Sequence, residues 1–301
     1  MPTLKVALPK GHLWNGVKTL LEKAGYDPRV VSERSYLVHS NDPELEVRIH
    51  RAQNIAPLVE EGSYDLGITG LDWILETSAN VEDLMDLGVG SVKIVAAFPQ
   101  YYGIKADGEA FKKLVEKARI EGKDRIIAAS EYENLTRKLC EEELNGYPYR
   151  VLRSYGATET FIGVADLIVD CVETGETLKE NGWEIVHVLF ESTARVIANK
   201  RSLTDPWKRD KIEGFVTLLR SVKEAEGMKL LKMNVPPHAL SEVVGILPAM
   251  KSPTISKLYG ENAGYAVEVA VKSSEVIRLI PALKKKGATD ILELDLKKVI
   301  R

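Results

Sequence analysis

The chain has few cysteines and no long apolar stretch. Two of its 301 residues are cysteine, Cys140 and Cys171, and they form no Cys-x-x-Cys pair. A disulfide framework is therefore excluded, and a reducing compartment is the simple interpretation. No stretch reaches the roughly 20 apolar residues of a membrane span, and the N-terminal MPTLKVALPKGHLW lacks the apolar region of a signal peptide. We expect a cytoplasmic protein that does not contact a membrane.

Charge is nearly balanced, and the histidines are few and scattered. The 41 Lys and Arg residues against 44 Asp and Glu residues give a formal net charge of -3. That balance excludes a protein held on nucleic acid by bulk charge, although a local group of Arg or Lys can still bind phosphate. The five histidines show no His-Glu-x-x-His pattern and no zinc-site spacing. We therefore expect any metal ion to arrive with a substrate.

Apolar runs alternate with amphipathic segments near the start of the chain. TLKVALP predicts a buried strand that ends at Pro9 and Gly11 and leads into a loop. NGVKTLLEKAG predicts a helix closed by Gly25. LEVRIHR and DLGITG predict further strands, and NIAPLVEEG and LDWILET predict helices. Strands that alternate with helices indicate an α/β lobe with a mostly parallel or mixed sheet.

A second small α/β unit follows. FKKLVEKARIEG and LTRKLCEEEL predict helices, while RIIAAS, YRVLRSYG and VADLIVD predict strands. EIVHVLFESTARVIANK then predicts strand material that returns to the first lobe. We therefore assign residues 1–93 and 184–221 to lobe I and residues 94–183 to lobe II. Two lobes joined by two crossings form a cleft, which is where small ligands bind.

The pattern changes over residues 222–301. KLLKMNVP, ALSEVVGIL, SPTISKL, YAVEVAV, SSEVIRLIPALKKKG and TDILELDLKKVI predict strand, helix, strand, strand, helix and strand. That order is the ferredoxin-like α+β unit. The helical stretch DPWKRDKIEGFVTLLRSVKEAEG joins this third domain to the rest.

The segment DLIVDCVETGETLKENG carries the most informative pattern, a buried strand that ends in an acid and a turn. Open α/β sheets bind ligands at the carboxyl ends of their strands. Thr174 and Thr177 supply hydroxyls, Gly175 lets the backbone approach a bulky anion, and the next helix points its amides at the same place. Asp170 and Glu173 would face sugar hydroxyls or magnesium. We interpret this turn as a 5-phosphoribosyl site, with a solvated surface turn as the alternative.

Four motifs in order support that interpretation through a family resemblance. They are ALPKGHL at residues 7–13, DLGITG at 65–70, ENLTR at 133–137 and VADLIVDCVETGETL at 164–178. Together they resemble the ATP phosphoribosyltransferases. The later segments MNVP, ILPAMKSPT and KKKGATDIL resemble the long form of this family, so the resemblance covers nearly the whole chain.

The resemblance implies a fold, a reaction and a mode of control. The fold is a bilobal catalytic core of the periplasmic-binding-protein type, followed by a C-terminal ferredoxin-like domain of the ACT type. The reaction joins N1 of ATP to C1 of phosphoribosyl pyrophosphate and releases pyrophosphate, with Mg²⁺ as the metal. Histidine inhibits through the third domain. The homo-oligomer is a dimer when active and a hexamer when inhibited.

The resemblance also implies residue roles. Displacement at an anomeric carbon needs positioning and charge stabilisation more than it needs a general base. By matching, Asp170, Arg51 and Lys10 are the catalytic residues, and Asp170 is also the candidate magnesium ligand. The remaining matches are the phosphoribosyl loop Glu173, Thr174, Gly175, Glu176, Thr177 and Leu178, the nucleotide cleft Lys10, Gly11, His12, Asp72 and Glu159, and the histidine pocket Met250, Ser252 and Thr254.

Several positions have a second interpretation or depart from the family pattern. His12 stands where the family often has Arg, and an imidazole cannot reproduce the guanidinium fork. Asn54 departs from the family pattern but predicts a helix N-cap, and Asp72 also predicts an N-cap as an alternative to a substrate contact. Cys171 predicts a buried core thiol rather than a nucleophile.

Two other functions stay open on the residues alone. A bilobal effector-sensing or solute-binding module would bind one small ligand and release no pyrophosphate. A different phosphoribosyltransferase is the other alternative. The usual version of that fold has two adjacent acids before its Thr-Gly loop, whereas Asp-Cys-Val-Glu separates the two acids here.

Overall fold

The computed structural model describes residues 2–30, 36–248, 252–260 and 263–300. It divides into two compact units. The first unit comprises residues 1–19 and 27–212, and the second comprises residues 20–26 and 213–301. The sequence pattern placed the start of the third domain at residue 222, which lies inside a helix in the structure.

The elements alternate along the chain as the apolar pattern predicts. The strands are β1 (Leu4–Lys10), β2 (Arg29–Val30), β3 (Leu37–His39), β4 (Leu45–Arg51), β5 (Leu66–Gly70), β6 (Glu82–Asp86), β7 (Val92–Pro99), β8 (Ile126–Ser130), β9 (Tyr149–Arg153), β10 (Leu167–Val172), β11 (Trp183–Ser192), β12 (Ala194–Ala198), β13 (Met228–Val235), β14 (Thr254–Lys257), β15 (Tyr265–Lys272) and β16 (Thr289–Asp295). The α-helices are α1 (His12–Ala24), α2 (Ala52–Glu60), α3 (Leu71–Thr77), α4 (Ala110–Ile120), α5 (Glu133–Glu143), α6 (Glu176–Glu180), α7 (Pro206–Ala225), α8 (Leu240–Gly245) and α9 (Ser273–Lys285).

The first lobe is built on a sheet with the strand order β2-β3-β4-β1-β5-β12-β6. Strands β4, β1 and β5 are parallel, while β12 runs antiparallel to both of its neighbours. The central strands are apolar on both faces because helices cover them, and all five residues of β5 are buried. Because β1, β4 and β5 are parallel, their carboxyl ends lie at the same edge of the sheet.

The second lobe is built on a sheet with the order β11-β7-β10-β8-β9. Strands β10, β8 and β9 are parallel, and β7 runs antiparallel to both β10 and β11. The chain enters this lobe between β6 and β7 and leaves it at Thr193, between β11 and β12. Residues 183–192 therefore pair within the second sheet, whereas the sequence pattern assigned residues from 184 onward to lobe I.

The second unit contains the antiparallel sheet β14-β15-β13-β16. Numbered within the domain, this is the strand order 2-3-1-4 with a helix in each crossover, which is the ferredoxin-like topology. The core forms on one face, where Leu231, Met233, Val267 and Val269 are buried with Leu283 of α9. The predicted fold class is confirmed: an α/β bilobal core of the periplasmic-binding-protein type and a ferredoxin-like C-terminal domain.

One strand end differs from the sequence prediction. The strand β1 continues through Pro9 to Lys10, and α1 begins at His12 rather than at Asn15. Proline is tolerated here because β1 pairs with β5 only around Val6 and Ala7, so Pro9 lies beyond that stretch of the ladder. Lys10 is therefore a strand residue and not the loop residue that we predicted.

Among the described residues, no helix is long and apolar enough to cross a membrane.

Candidate active site

The cationic side of the candidate site lies at the carboxyl edge of the first sheet. Lys10 ends β1 and is paired in register with Arg51, the last residue of β4. Both side chains are exposed, and Lys10 Nζ lies 5.7 Å from the ring centroid of Tyr36. Two cations side by side at the ends of parallel strands suit a phosphate or pyrophosphate group.

The turn between β1 and α1 consists of a single residue, a glycine. Gly11 has φ of +90° and is the only residue between Lys10 and the first residue of α1, His12. Gly11 and His12 are both exposed. The predicted nucleotide-cleft residues Lys10, Gly11 and His12 thus form one continuous exposed segment at this sheet edge.

Arg51 has a second role that the sequence pattern assigned to another residue. It occupies the N-cap position of α2, so Asn54 is the third residue of that helix and the predicted Asn54 cap is wrong. The charge of Arg51 reaches the second lobe, because together with Arg153 it opposes the burial that raises the pKa of Glu131. The carboxyl edges of the two sheets therefore face each other closely enough for charges to interact.

The acidic side of the site lies at the carboxyl edge of the second sheet. Asp170 on β10 is half-buried, and its Oδ1 accepts a hydrogen bond of 2.8 Å from the amide of Cys171. Burial, together with the charges of Glu159 and Glu131, raises the pKa of Asp170 to about 7, against the hydrogen bonds from the Cys171 amide and from Thr158, which lower it. Asp170, Glu159 and Glu131 together place negative charge at this half-buried edge, which suits sugar hydroxyls or a cation that substrate oxygens also bind.

Glu159 lies in the short 3₁₀ turn Thr158–Phe161, which the structure brings next to β10. Its backbone carbonyl accepts a hydrogen bond of 2.8 Å from the indole nitrogen of Trp183, which is buried in the core of the second lobe. This bond fixes the turn. The structure therefore places this turn beside β10, and the role of Glu159 near the ribose stays a prediction.

The predicted phosphoribosyl loop forms a tight turn directly after β10. Gly175 has φ of +84° and is the N-cap of α6, which begins at Glu176 inside the predicted loop. The left-handed backbone favours glycine here, and a Cβ at Gly175 would lie 2.7 Å from Cδ1 of Ile185, so that side chain would have to shift. Thr174 and Thr177 expose their side chains, as the loop prediction expects.

Glu173 and Glu176 also expose their side chains, but Leu178 does not. The Leu178 side chain is only 2% exposed and packs in the core of the second lobe with Ile168 and Trp183. Its prediction as a substrate contact is wrong for the side chain, because the whole residue is buried. Leu178 instead anchors the loop to the core.

Asp72 has a buried side chain and does not cap α3. Helix α3 begins at Leu71 with Gly70 as its N-cap, so the N-cap interpretation of Asp72 is wrong. Its side chain is buried and accepts hydrogen bonds from Ser192 Oγ at 2.5 Å and from the Tyr132 hydroxyl at 2.8 Å. A substrate contact by Asp72 stays a prediction.

Cys171 is half-exposed rather than fully buried. Burial raises the pKa of its thiol to about 11, with a further contribution from the charge of Asp170. The thiol therefore stays protonated at neutral pH, and the prediction that it is not a nucleophile agrees with this environment.

Sequence reasoning missed Glu131, Tyr132 and Arg153. Glu131 and Tyr132 follow β8, and Arg153 ends β9 in register with Ser130. All three lie at the same carboxyl edge as Asp170, so the strand-end rule that selected Asp170 would also have selected them. Glu131 and Tyr132 directly follow the predicted strand RIIAAS, and Arg153 lies within the predicted strand YRVLRSYG, so all three could have been found from the sequence.

The predicted histidine pocket is described only in part. Met250 lies outside the described residues. Ser252 is exposed, and Thr254 begins the edge strand β14 in register with Glu268. Glu268 in turn pairs with Lys232 at 2.8 Å, so charged and hydroxyl groups line this part of the sheet.

Comparison with known proteins gives the family. The family model for ATP phosphoribosyltransferase matches residues 51–221, and the model described as HisG, C-terminal domain, matches residues 225–298. The ATP phosphoribosyltransferase of Pelotomaculum thermopropionicum is 42% identical over 99% of both chains. That of Chlorobium phaeovibrioides is 41% identical over 99% of this chain and 97% of its own.

A solved structure gives the same result for the core. The ATP phosphoribosyl transferase (HisG:HisZ) complex from Thermotoga maritima contains a chain with 28% identity and a TM-score of 0.59, which covers 72% of this chain and 97% of its own length. Fold and matches together define a pentosyltransferase. More particularly, the chain belongs to the ATP phosphoribosyltransferase family, in the long form that carries the C-terminal domain.

Proposed function

We infer that the chain is an ATP phosphoribosyltransferase that catalyses the first step of histidine biosynthesis. Nitrogen N1 of the adenine of ATP attacks C1 of phosphoribosyl pyrophosphate, the bond from C1 to the pyrophosphate oxygen breaks, and pyrophosphate leaves with the electron pair. The observation that carries this inference is the match to named relatives over 99% of the chain. The geometry supports it with a turn that suits a phosphate group, and with an acid and two cations at facing sheet edges.

The turn after β10 suits the 5-phosphate of the ribose. The left-handed Gly175 opens the backbone of the turn, and the exposed hydroxyls of Thr174 and Thr177 flank it. The buried Leu178 and the bulk of Ile185 hold the turn in one shape. A preformed turn binds an anion without paying for ordering when the ligand arrives.

Asp170 and Glu159 would accept hydrogen bonds from the ribose hydroxyls, since both are acids beside the turn. Lys10 and Arg51, paired on neighbouring strand ends, would hold the pyrophosphate and stabilise the charge that it gathers as it leaves. Because adenine N1 already carries a lone pair, the reaction needs orientation rather than a general base. Gly11 and His12 follow Lys10 at the same sheet edge, where they would contact the nucleotide.

The family works with a divalent metal, and we propose Mg²⁺. Among the described residues, no group of three or more His, Cys, Asp or Glu side chains could hold a metal ion alone. Asp170 with its acidic neighbours fits instead a magnesium ion bound by one carboxylate and by the oxygens of the substrate, since Mg²⁺ is usually held in this way. Bound there, the metal would neutralise phosphate charge.

We also propose feedback inhibition by histidine through the C-terminal domain. Ser252 and Thr254 offer short hydroxyls at the start of an edge strand, and a free strand edge offers backbone groups to an amino acid. A homo-oligomer, dimeric when active and hexameric when inhibited, and a cytoplasmic location belong to the same proposal. The Thermotoga maritima structure is a HisG:HisZ complex, so association with other chains has a precedent in a relative.

One assay tests the proposed reaction. Purified protein is mixed with ATP, phosphoribosyl pyrophosphate and Mg²⁺, and both near-ultraviolet absorbance and released pyrophosphate are followed, with and without histidine. The expected result is a rise in both signals that requires all three components. Binding of one ligand without pyrophosphate release would instead establish a non-catalytic binding module. Turnover of phosphoribosyl pyrophosphate with a base other than the adenine of ATP would establish a different phosphoribosyltransferase.

A further inference from the structure

A buried chain of hydrogen bonds joins the two lobes behind the candidate site. Ser192, at the end of β11, donates from Oγ to Asp72 Oδ1 at 2.5 Å, and the amide of Asp72 donates back to the same hydroxyl at 3.0 Å. The hydroxyl of Tyr132 donates to the other oxygen of Asp72 at 2.8 Å. Asp72, Ser192 and Tyr132 are all at most 5% exposed. Asp72 belongs to α3 of the first lobe, whereas Tyr132 belongs to the second.

Tyr132 is also bonded to the strands that present the acids. Its amide donates to Ser130 Oγ at 2.8 Å, and that hydroxyl donates to the carbonyl of Val169 at 2.6 Å. Val169 immediately precedes Asp170 on β10. Tyr132 therefore connects the end of β8 with the residue next to Asp170.

The ring of Tyr132 has little freedom to turn. It stacks on Trp73 with 4.5 Å between the ring centroids and 26° between the ring planes. Its carbonyl accepts the Thr136 hydroxyl at 2.6 Å. A side chain fixed by packing and by hydrogen bonds at both ends can transmit position from one lobe to the other.

We propose that Tyr132 is a positioning residue for the transfer reaction. Its hydroxyl is bonded to Asp72 of the first lobe, and its amide is bonded through Ser130 to the residue that precedes Asp170. Tyr132 thereby fixes Asp170, on the second lobe, relative to Lys10 and Arg51 on the first. Tyr132 is only 2% exposed, so it acts through these partners and does not touch substrate. The proposal deepens the proposed function and rests on it, because the position of Asp170 matters only if Asp170 serves the reaction.

The test removes only the hydroxyl. Tyr132→Phe keeps the stacked ring, and Tyr149→Phe is the matched control, since Tyr149 donates to Glu141 on an exposed surface. Wild-type turnover is measured first, so that its absence would count against the proposed function and not against Tyr132. We expect kcat of Tyr132→Phe to fall about 10- to 100-fold, because a misplacement of about 1 Å costs up to that much. The KM values for both substrates should change less than threefold, and the control should match the wild type.

Folding is separated from positioning by counting the active sites. The active fraction is determined by titration with phosphoribosyl pyrophosphate, and kcat is expressed per binding site. If kcat per site in Tyr132→Phe equals that of the wild type, the proposal is wrong.

Should Tyr132→Phe fail to fold, Ser192→Ala tests the same chain from its other end. It removes both bonds between the Ser192 hydroxyl and Asp72 and keeps the bond from Tyr132. A fall in kcat per site with KM retained would support the proposal. Unchanged kcat per site in Ser192→Ala would overturn it.

Discussion

Replacing Asp170 with Asn should stabilise the folded protein at neutral and alkaline pH while it removes activity. The folded state raises the pKa of Asp170 from 3.8 to about 7, chiefly through burial. Between about pH 4 and pH 7 the folded protein therefore binds this proton more tightly than the unfolded chain does. The free energy of unfolding contributed by this group falls as the pH rises through that window and stays low above it.

The size of the effect follows from the shift. A change of about three pKa units at 1.36 kcal/mol each gives an upper limit of about 4 kcal/mol. Because Asp170 is half-buried and water reaches it, we expect about 1 to 3 kcal/mol at pH 8. At pH 5 the folded protein still holds the proton, so the advantage of Asn should be smaller there by about 1 to 2 kcal/mol.

The assay is urea unfolding of the wild type and of Asp170→Asn at pH 5, 6, 7 and 8, without metal or substrate. Asp124→Asn is the control, because Asp124 is exposed and its partner Arg125 lowers its pKa, so its small effect should have the opposite sign. A stability difference between Asp170→Asn and the wild type that does not change with pH would refute the reasoning. So would an Asn variant that is less stable than the wild type at pH 8.

Three further changes test other parts of the site. Gly175→Val, which places a branched side chain at φ of +84° and against Ile185, should raise the KM for phosphoribosyl pyrophosphate at least tenfold and the KM for ATP much less; equal losses in steady-state kinetics would contradict the loop assignment. Arg51→Gln should lower kcat/KM about 10- to 100-fold for phosphoribosyl pyrophosphate, whereas Arg125→Gln, at an exposed ion pair, should leave it unchanged. Leu178→Ala should cost about 2 to 4 kcal/mol in thermal or urea unfolding, since it empties a core position; a loss below about 1 kcal/mol would show that the loop is not anchored there.

The sequence predicts well those features that depend on neighbouring residues. The apolar run before Asp170 and the turn around Gly175 predict a strand end and a left-handed glycine, and both are present. Periodicity likewise predicts the six elements of the C-terminal domain in their correct order. Each of these signals lies within a few residues of the feature that it predicts.

Features that depend on distant partners were not predictable in this way. Asp72 is held by Ser192, which lies 120 residues further along the chain, so the sequence allowed only a helix cap or a substrate contact to be predicted for its side chain. The strand β11 was assigned to the first lobe because its apolar pattern does not say which sheet it joins, and its register with β7 is interrupted twice. Leu178 follows an exposed turn, and only the packing of the second lobe shows that it is buried.

The position of β12 in the first sheet has a consequence for the order of synthesis. Residues 194–198 lie between β5 and β6, although both of those strands are made more than 100 residues earlier. When residues 1–93 of a nascent chain have left the ribosome, β12, the strand that joins them into one sheet, has not yet been made. The second lobe can form first, and the amino-terminal lobe is completed only when the chain returns to it. A stalled chain that ends before β12 should therefore expose the edges of β5 and β6, where chaperones would find unpaired backbone.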